Sequence, residues 1–309
     1  MLNTFNDVNQ VQVYFAKKIL EDGETCCPRG METKELLGCS FKINNPRNRL
    51  TTLTERRWSL PLAIGELCWH LSGSDDVSPL LFYAKSWSKF SENGRVQGSC
   101  YGNSIGYNRD ISFSQWKMVR QLLIRDPGSR RAIIFLNVAD NRLDPLAKDV
   151  ACVSSIQFIV RQGKLHAMTN MRSNDLILGL PYDVFLFSWL QELMASELGY
   201  ELGEYYHNAA SLHIYDRHYD LASRIVGSDF VSDCKMPKMD ELESVIKFVE
   251  LEDRVRKGAK LEVSVGRYWD ALLSSVEYYS NKRNGRSGGK DVDGENFSIY
   301  KAIVDNMNL

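Results

Sequence analysis

Residues 172–183 read RSNDLILGLPYD. A polar cluster runs into an apolar stretch and a Gly-Leu-Pro turn, and the segment ends in the carboxylate of Asp183. Residues 181–198 then place Phe185, Trp189 and Leu193 at helical spacing, which predicts a long, mostly buried helix. The segment is interpreted as a passage from a strand into a buried helix. A carboxylate directly after an apolar run is a candidate for a specific contact.

The surrounding segments predict a sheet covered by helices. Residues 153–161 and 164–170 are predicted as two strands joined by a tight turn at Gln162-Gly163. Further helices are predicted at 10–20, 60–71 and 115–125, and further strands at 37–43 and 132–138. The Gly-rich residues 94–107 are predicted to be irregular, and the polar residues 280–296 to form a mobile loop. We expect one α+β domain over residues 1–309, with a large mixed sheet.

Composition places the chain among ordinary globular proteins. It has 309 residues, 44% of them hydrophobic, and a formal net charge of -1, which gives no general attraction to nucleic acid or an anionic membrane. The seven cysteines lack paired C-x-x-C spacing, which argues against a disulfide framework and a zinc ribbon. No segment is long and apolar enough to span a bilayer, and the first residues lack a signal or transit pattern. We expect a cytoplasmic protein with free thiols and with no metal, membrane or nucleic-acid partner.

Two side chains stand out chemically, and each has a structural alternative. Cys152 lies in DVACVSSIQF at the entry to a predicted strand. It is either a buried structural cysteine or a nucleophile whose pKa is lowered by cationic neighbours. Glu66 is the one carboxylate within the apolar residues 60–71, where it either reaches water at a groove or acts as an acid or base.

Several arginines and an aromatic pair are candidates for binding an anion and a sugar. The arginines are Arg29, Arg130, Arg131 and Arg172. Arg130-Arg131 follows a Pro-Gly turn and leads into an apolar strand, a place where guanidinium groups suit a phosphate. His213 and Tyr215 lie two residues apart in SLHIYDRHYD, so on an extended segment they share a face and can bond a sugar hydroxyl. The alternatives are solvated surface arginines and a partly buried His at a polar helix start.

The order of these motifs along the chain resembles the thymidylate synthase superfamily. The motifs are R-G at 29–30, G-E-L-x-W at 65–69, Y-G at 101–102, S-R-R at 129–131, A-C-V-S-S-I-Q-F at 151–158, R-S-x-D-L-x-L-G-L-P at 172–181 and H-x-Y at 213–215. The resemblance covers roughly residues 15–225. It implies a homodimeric α/β fold whose sheet face forms the dimer interface. It also implies a pyrimidine nucleoside monophosphate as substrate and 5,10-methylenetetrahydrofolate as one-carbon donor.

The resemblance assigns roles by position. Cys152 would add to C6 of the base, Glu66 would relay protons through water, and Asp175 would assist the folate. The phosphate would be bound by Arg29, Arg172 and Ser173, together with Arg130 and Arg131 from the neighbouring subunit. The sugar would be bound by His213 and Tyr215. Trp87 and Gly179 would lie near the folate, and Tyr101 is a further site candidate.

Asp183 stands where ordinary synthases of this superfamily carry Asn. An amide can donate to O4 of uracil and accept from its N3-H, whereas an ionised carboxylate pairs with the N4 amino group of cytosine. Opposite a carboxylate, O4 of uracil would lack a donor, and an unmatched buried polar pair costs about 1–3 kcal/mol. Asp183, the SGS turn at 72–74, residues 90–94 and SLHIYDRH resemble the cytidylate 5-hydroxymethylases of the superfamily.

The expected reaction converts dCMP, methylenetetrahydrofolate and water into 5-hydroxymethyl-dCMP and tetrahydrofolate. Residues 300–309 do not match the segment that synthases close over the site to exclude water, which favours hydration, whereas Trp87 favours hydride transfer. Val153 replaces the histidine of the usual Pro-Cys-His, so the contacts of that histidine must be absent or replaced. The alternatives are a CMP hydroxymethylase, a reductive pyrimidine methylase, and a catalytically silent nucleotide- or RNA-binding relative.

Overall fold

The computed structural model describes residues 2–110, 112, 114–138, 143, 144, 146–285 and 295–307. Its helices are α1 (Val8–Asp22), α2 (Leu60–Ser72), α3 (Ser78–Tyr83), α4 (Tyr101–Ile105), α5 (Gln115–Arg125), α6 (Leu180–Leu198), α7 (Tyr219–Val226), α8 (Val245–Arg256), α9 (Arg267–Arg283) and α10 (Glu295–Asp305). Its strands are β1 (Asn3–Phe5), β2 (Glu24–Cys26), β3 (Thr33–Ile43), β4 (Ile133–Phe135), β5 (Val153–Arg161), β6 (Lys164–Met171), β7 (Asn174–Asp175) and β8 (Glu201–Tyr215).

The chain divides into two compact units. Unit 1 comprises Met1–Trp58, Arg120–Ile134 and Cys152–Met236, and unit 2 comprises Ser59–Val119, Phe135–Ala151 and Pro237–Leu309. Whether the units fold as the one domain expected from the sequence stays a prediction.

A mixed sheet of eight strands organises unit 1. The strand order is β1-β3-β8-β6-β5-β4, with β2 also paired to β3 and β7 to β8. β3 and β8 pair antiparallel, β6 and β8 parallel, and β5 and β6 antiparallel. The expected class, a large mixed sheet with helices packed on it, is confirmed.

The central strands of this sheet alternate between buried and partly exposed residues. Phe158, Ala167 and Tyr205 point to the buried face and are 0% exposed, because α6 packs against β6 and β8. The alternate residues, among them Met168 and Tyr206, lie on the opposite face and are partly exposed. We call this second side the outer face of the sheet.

The turn between β5 and β6 follows the sequence prediction. Gln162 has φ 51 and Gly163 has φ 74. Positive φ at both central residues of a two-residue turn matches the right-handed twist of the strands that it joins. The turn aligns Val153 with Met171, which places Cys152 and Arg172 next to each other at the far end of the hairpin.

Helix α6 is the buried helix predicted after the opening segment. Pro181 lies in its first turn, where no intrahelical N-H is needed, and Gly199 ends it with φ 73. Phe187, Trp189 and Leu193 are 0% exposed. The helix is buried nearly all round, which fits its lack of a polar face.

Helix α2 is the centre of unit 2 and packs against α3, α8 and α9. Gly65 lets Tyr83 lie close, since a Cβ at this position would come 2.3 Å from Tyr83 Cε2. The Tyr83 hydroxyl donates to Glu252, which also accepts from Arg256 at 3.0 Å. The predicted core helix over residues 60–71 is therefore confirmed.

Two sequence predictions are wrong in part. Residues 101–105, within the predicted irregular stretch, form α4. Its Gly102 packs closely against α2, where a Cβ would come 2.1 Å from the carbonyl oxygen of His70. The strand predicted over 132–138 is only Ile133–Phe135. The Gln115 side chain bonds both the N-H and the carbonyl of Phe135, each at 2.9 Å, in place of a neighbouring strand.

The predicted loop at 280–296 falls partly within helices. Residues 280–283 are the last turn of α9, and residues 295 and 296 begin α10. Residues 286–294 lie outside the described part of the chain.

Candidate active site

Cys152 lies where the chain enters β5 and is partly exposed. The Arg172 N-H donates to the Cys152 carbonyl at 2.9 Å, and Arg172 Nη2 lies 3.7 Å from Cys152 Sγ. A guanidinium beside a thiol favours the thiolate, which is the nucleophilic form. Cys68 contrasts with this arrangement, because its burial raises its pKa well above the usual value.

Residues 172 and 173 connect β6 to β7, which ends in the carboxylate of Asp175. Asp175 pairs with His213 in the parallel register of β7 and β8. Asp175 Oδ1 accepts from the backbone N-H of Ile177 at 2.8 Å and of Leu178 at 3.0 Å. The turn that follows β7 therefore holds this carboxylate in one orientation.

His213 and Tyr215 share a face of β8, as an extended segment requires. Their rings meet edge to face, with centroids 5.1 Å apart. His213 is 7% exposed, and its burial lowers its pKa, partly offset by the nearby Asp175 carboxylate. At neutral pH the imidazole is therefore a neutral hydrogen-bonding group.

The groups that shift the pKa of Tyr215 are those that lie near its hydroxyl. Burial raises the pKa of Tyr215, and the charge of Asp175 and the thiol of Cys152 add to this effect. Arg217 and Arg29 oppose it. Arg217 stacks on the Tyr215 ring at 4.2 Å and was not identified from the sequence, although it follows the H-x-Y motif by two residues.

Asp183 lies in the first turn of α6 and is partly exposed. Asn174 Nδ2 donates to its Oδ2 at 2.7 Å. Burial of the carboxyl raises the pKa of Asp183 to about 7; the charge of Asp175 adds to this shift, and the hydrogen bond from Asn174 opposes it. Within the described part of the chain, no side chain bonds Oδ1, so this oxygen is available to a ligand.

The other arginines predicted for the site, Arg29, Arg130 and Arg131, are exposed. Arg29 lies in a short 3-10 helix, Pro28–Gly30, with φ 55, a conformation uncommon for a residue with a side chain. Arg130 and Arg131 precede β4, and Gln157 Nε2 on the outer face of β5 donates to the Arg130 carbonyl at 2.7 Å. This bond ties the arginine pair to the outer face of the sheet.

Three predicted site residues belong to unit 2. Trp87 Nε1 donates to Glu66 Oε1 at 3.1 Å, and Glu66 is partly exposed in an otherwise buried stretch of α2. Tyr101 is buried and stacks on the His70 ring, with centroids 5.2 Å apart. Burial lowers the pKa of His70 to about 3, so this ring is neutral and serves packing.

Comparison with known proteins identifies the family. Residues 12–253 match the family model for thymidylate synthase. The chain is 31% identical over 224 residues to a deoxyuridylate hydroxymethyltransferase of Bacillus phage SP01, across 69% of this chain and 58% of that relative. It is 37% identical over 194 residues to thymidylate synthase 1 of Bacillus subtilis strain 168, across 61% of this chain and 68% of that relative. The structure of thermostable thymidylate synthase A from Bacillus subtilis matches with a TM-score of 0.59 and 28% identity, covering 73% of this chain and 86% of that one.

The match to the family model spans most of the chain, so this protein belongs to the thymidylate synthase family. Members of this family are one-carbon transferases that use methylenetetrahydrofolate. The chain spans less than two thirds of the length of the phage hydroxymethyltransferase that it matches. Among the described residues, no helix is long and apolar enough to cross a membrane, and no group of three or more His, Cys, Asp or Glu side chains could hold a metal ion.

Proposed function

We propose that this protein is a cytidylate 5-hydroxymethylase, which forms 5-hydroxymethyl-dCMP and tetrahydrofolate from dCMP, methylenetetrahydrofolate and water. The observation that carries the proposal is the carboxylate of Asp183, with Oδ2 bonded to Asn174 and Oδ1 available. The phage relative is named a deoxyuridylate hydroxymethyltransferase, which supports the reaction type and names a different base.

Asp183 supplies the base preference. Its ionised carboxylate accepts from the N4 amino group of cytosine, and a water can bond N3. Uracil presents O4 at the same place, and two acceptors that face each other in a partly buried site lose about 1–3 kcal/mol. This difference corresponds to a factor of about 5 to 150 in favour of cytidylate.

Cys152 supplies the nucleophile. Its thiolate adds to C6 of the pyrimidine, and the electron pair of the C5–C6 double bond makes C5 enamine-like. C5 bonds the one-carbon unit, the C5 proton leaves to a base, and tetrahydrofolate departs as an amine, which leaves an exocyclic methylene on the base. Water adds to this methylene as the C6–S bond breaks, so the thiolate is restored. No hydride moves, and nothing is oxidised or reduced.

The charges of unit 1 suit a nucleotide monophosphate. Arg29 and Arg172 are exposed cations that can grip a phosphate dianion, with the Ser173 hydroxyl as a further donor. The neutral ring of His213 and the hydroxyl of Tyr215 can bond sugar hydroxyls. Arg172 would therefore serve both the phosphate and the Cys152 thiolate.

The folate side of the reaction is assigned to four residues. Asp175, held by the turn after β7, is proposed to assist the folate, with Gly179 leaving room beside it. Glu66 is proposed to relay protons through water, and the Trp87 indole that donates to it fixes one of its oxygens. Trp87 is also proposed to lie beside the folate.

We further propose a homodimer through the outer face of the sheet. Met168 and Tyr206 are register partners on this face, so they offer a continuous, partly apolar surface to a second copy. Arg130 and Arg131 are exposed, and the bond from Gln157 to the Arg130 carbonyl holds them beside this face. Their proposed task is to bind the phosphate in the site of the partner.

The test is turnover of dCMP, CMP, dUMP and UMP side by side with methylenetetrahydrofolate, followed by mass analysis of the product. We expect dCMP to be the preferred substrate and the hydroxymethyl nucleotide to be the product. An absorbance rise from dihydrofolate would show reductive methylation instead. Preference for CMP over dCMP would show that the substrate is the ribonucleotide.

A catalytically silent relative is tested separately. Release of tritium from 5-tritiated dCMP is expected, and Cys152→Ala should abolish it. Cys39→Ala is the matched control, because Cys39 is also partly exposed, but burial raises its pKa to about 11. Absence of tritium release from the unaltered protein would favour a binding protein.

A second candidate is hydroxymethylation of dUMP, the substrate in the name of the phage relative. With a pKa of about 7, Asp183 is partly protonated near neutrality, and a protonated Oδ1 can donate to O4 of uracil. A higher kcat/KM for dUMP than for dCMP at pH 8 would show that the substrate is uridylate and not cytidylate.

A further inference from the structure

A line of buried polar side chains leads through the sheet of unit 1 to Asp183. Tyr205 Oη lies 3.0 Å from His207 Nδ1, and His207 Nε2 lies 2.9 Å from Asn174 Oδ1. Asn174 Nδ2 in turn lies 2.7 Å from Asp183 Oδ2. Tyr205 and His207 are 0% exposed, and Asn174 is 2% exposed. Three residues outside the predicted site therefore form one network that ends at the proposed base-reading carboxylate.

Each hydrogen bond in this line has one direction. The Asn174 Oδ1 can only accept, so His207 Nε2 must carry the hydrogen. Burial lowers the pKa of His207 to about 3, so the ring is neutral and its Nδ1 accepts from the Tyr205 hydroxyl. If the Asn174 amide were rotated by 180°, its oxygen would face the Asp183 carboxylate, so two acceptors would oppose each other. All the hydrogens therefore point towards Asp183.

The packing around the line keeps these directions fixed. His207 stacks on Phe41, its register partner in β3, with ring centroids 4.9 Å apart and planes at 16°. A Cβ at Gly179 would lie 3.3 Å from both Asn174 Nδ2 and Asp183 Oδ2, so this glycine leaves room for their bond. Stacking on Phe41 fixes the plane of the ring, and a half-turn within that plane would put carbon atoms where Nδ1 and Nε2 now bond Tyr205 and Asn174. The Asn174 amide cannot turn without losing its bond from the ring.

We propose that Asn174, oriented by His207 and Tyr205, is a positioning residue that selects which oxygen of Asp183 reads the base. Oδ2 stays bonded to the protein as an acceptor, and Oδ1 faces the pyrimidine edge. This inference rests on the proposed role of Asp183 in base choice. It adds that the choice depends on side chains that do not touch the base.

Removal of the Asn174 N-H has a defined consequence. The carboxyl of Asp183 is then free to turn and to carry its proton on either oxygen, so it donates to O4 of uracil more often. The other titratable groups facing it are Asp175 from β7, whose charge also favours protonation, and Tyr205 and His207 from β8, which stay neutral. Discrimination between dCMP and dUMP should fall.

The test is a double-mutant cycle between Asn174→Ala and Asp183→Asn. The measured quantity is the ratio of dCMP to dUMP in kcat/KM, and also in equilibrium binding without folate. We expect Asn174→Ala to lower this ratio about tenfold, as loss of a hydrogen bond to a charged group does. In the Asp183→Asn background the same change releases an amide that can turn its oxygen towards the base, so the ratio should not fall and should move towards dCMP.

Substitutions further along the line separate positioning from simple packing. His207→Phe keeps the stacking on Phe41 and deletes the donor, so it should lower the ratio. His207→Gln restores an N-H towards Asn174 and should restore the ratio. Tyr205→Phe removes one oxygen only and should have a smaller effect in the same direction. Ser188→Ala, which removes a buried hydroxyl from the same helix as Asp183, is the control and should leave the ratio unchanged.

The outcomes separate this inference from the proposed function. If the unaltered protein prefers uridylate, the proposed function is wrong, but the change in ratio still reports whether Asn174 acts through Asp183. An unchanged ratio in Asn174→Ala, or an equal change in both backgrounds, would overturn the inference. Should Asn174→Ala fail to fold, the pair His207→Phe and His207→Gln decides: equal ratios in the two overturn it.

Discussion

Asp183→Asn is the residue change with the sharpest expected effect. It places an amide N-H opposite the pyrimidine edge, which suits O4 of uracil and opposes the N4 amino group of cytosine. We expect the dCMP-to-dUMP ratio of kcat/KM to fall by about tenfold or more, as for an unmatched buried polar pair. Steady-state kinetics on both nucleotides measures it. If full cytidylate preference remained, the base would have to be read by other residues.

If Asp183 reads the base as proposed, its raised pKa predicts that base choice depends on pH. The carboxylate that accepts from cytosine forms as the pH rises through about 7, and the acid that can donate to uracil forms as the pH falls below it. The dCMP-to-dUMP ratio should therefore increase between pH 6 and pH 8. Asp183→Asn is the control, because an amide does not titrate in this range. A ratio that rises towards low pH would mean that the acid donates to N3 of cytosine.

The same shift affects folding with the opposite sign. The native pKa of Asp183, about 7, lies above its ordinary value of 3.8, so the native state binds this proton more tightly than the unfolded state. By linkage, the contribution of Asp183 to stability falls as the pH rises from about 4 through 7. Activity towards cytidylate and native stability therefore respond in opposite directions to this one group.

At the residue scale, the sequence located groups that carry a chemical signature. Cys152 and Arg172 were candidates from their motifs, and the hairpin between β5 and β6 brings them together. Asn174 and His207 were missed, because an inward-facing Asn or His on a strand has the same residue type as an exposed one. Only the folded chain brings them together with Asp183, because His207 on β8 bonds Asn174 on the neighbouring β7 and Asn174 bonds Asp183 at the start of α6.

At the scale of elements, glycines show where sequence patterns are ambiguous. Gly65 lies inside α2 and did not weaken the prediction of a helix, whereas Gly98, Gly102 and Gly106 led to a prediction of irregular structure at α4. Gly65 and Gly102 serve close packing, which a single sequence cannot distinguish from flexibility. Periodic apolar patterns, as in α6, were the dependable signal.

Gly65→Ala tests this account of α2. The added methyl group would lie 2.3 Å from Tyr83 Cε2, so overpacking should lower the free energy of unfolding by about 1–3 kcal/mol. Thermal unfolding followed by circular dichroism measures the change. Gly128→Ala, where a Cβ would lie 3.7 Å from the nearest side-chain atom, is the matched control. Equal melting temperatures for the two variants would contradict the packing role of Gly65.

At the scale of the whole molecule, the proposed dimer makes a test by subunit mixing possible. Cys152→Ala and Arg131→Ala should each lose most activity. A mixed dimer would contain one site with an intact Cys152 and an intact Arg131 from the partner subunit, so mixing the two inactive variants should restore turnover. If the arginines acted within their own subunit, mixing would restore nothing.

The proposed dimer surface can be tested independently. Met168→Lys places a charge at the centre of the outer face and should produce monomers in size-exclusion chromatography with light scattering. Ile124→Lys is the control, because Ile124 is 56% exposed on α5 and its replacement adds the same charge outside the sheet. A Met168→Lys protein that remained dimeric would place the interface elsewhere.

The direction of the bond from Asn174 also bears on how the family could diversify. If Asn stood at position 183, its carbonyl oxygen would accept the same N-H from Asn174, and its amino group would then face the pyrimidine. Asp and Asn codons differ by one nucleotide, so a single point mutation would exchange an acceptor for a donor at the base edge without disturbing the buried side chains behind it. On the proposed role of Asp183, divergence between uridylate and cytidylate enzymes would need one substitution at the start of α6 and no change in the packed residues behind it.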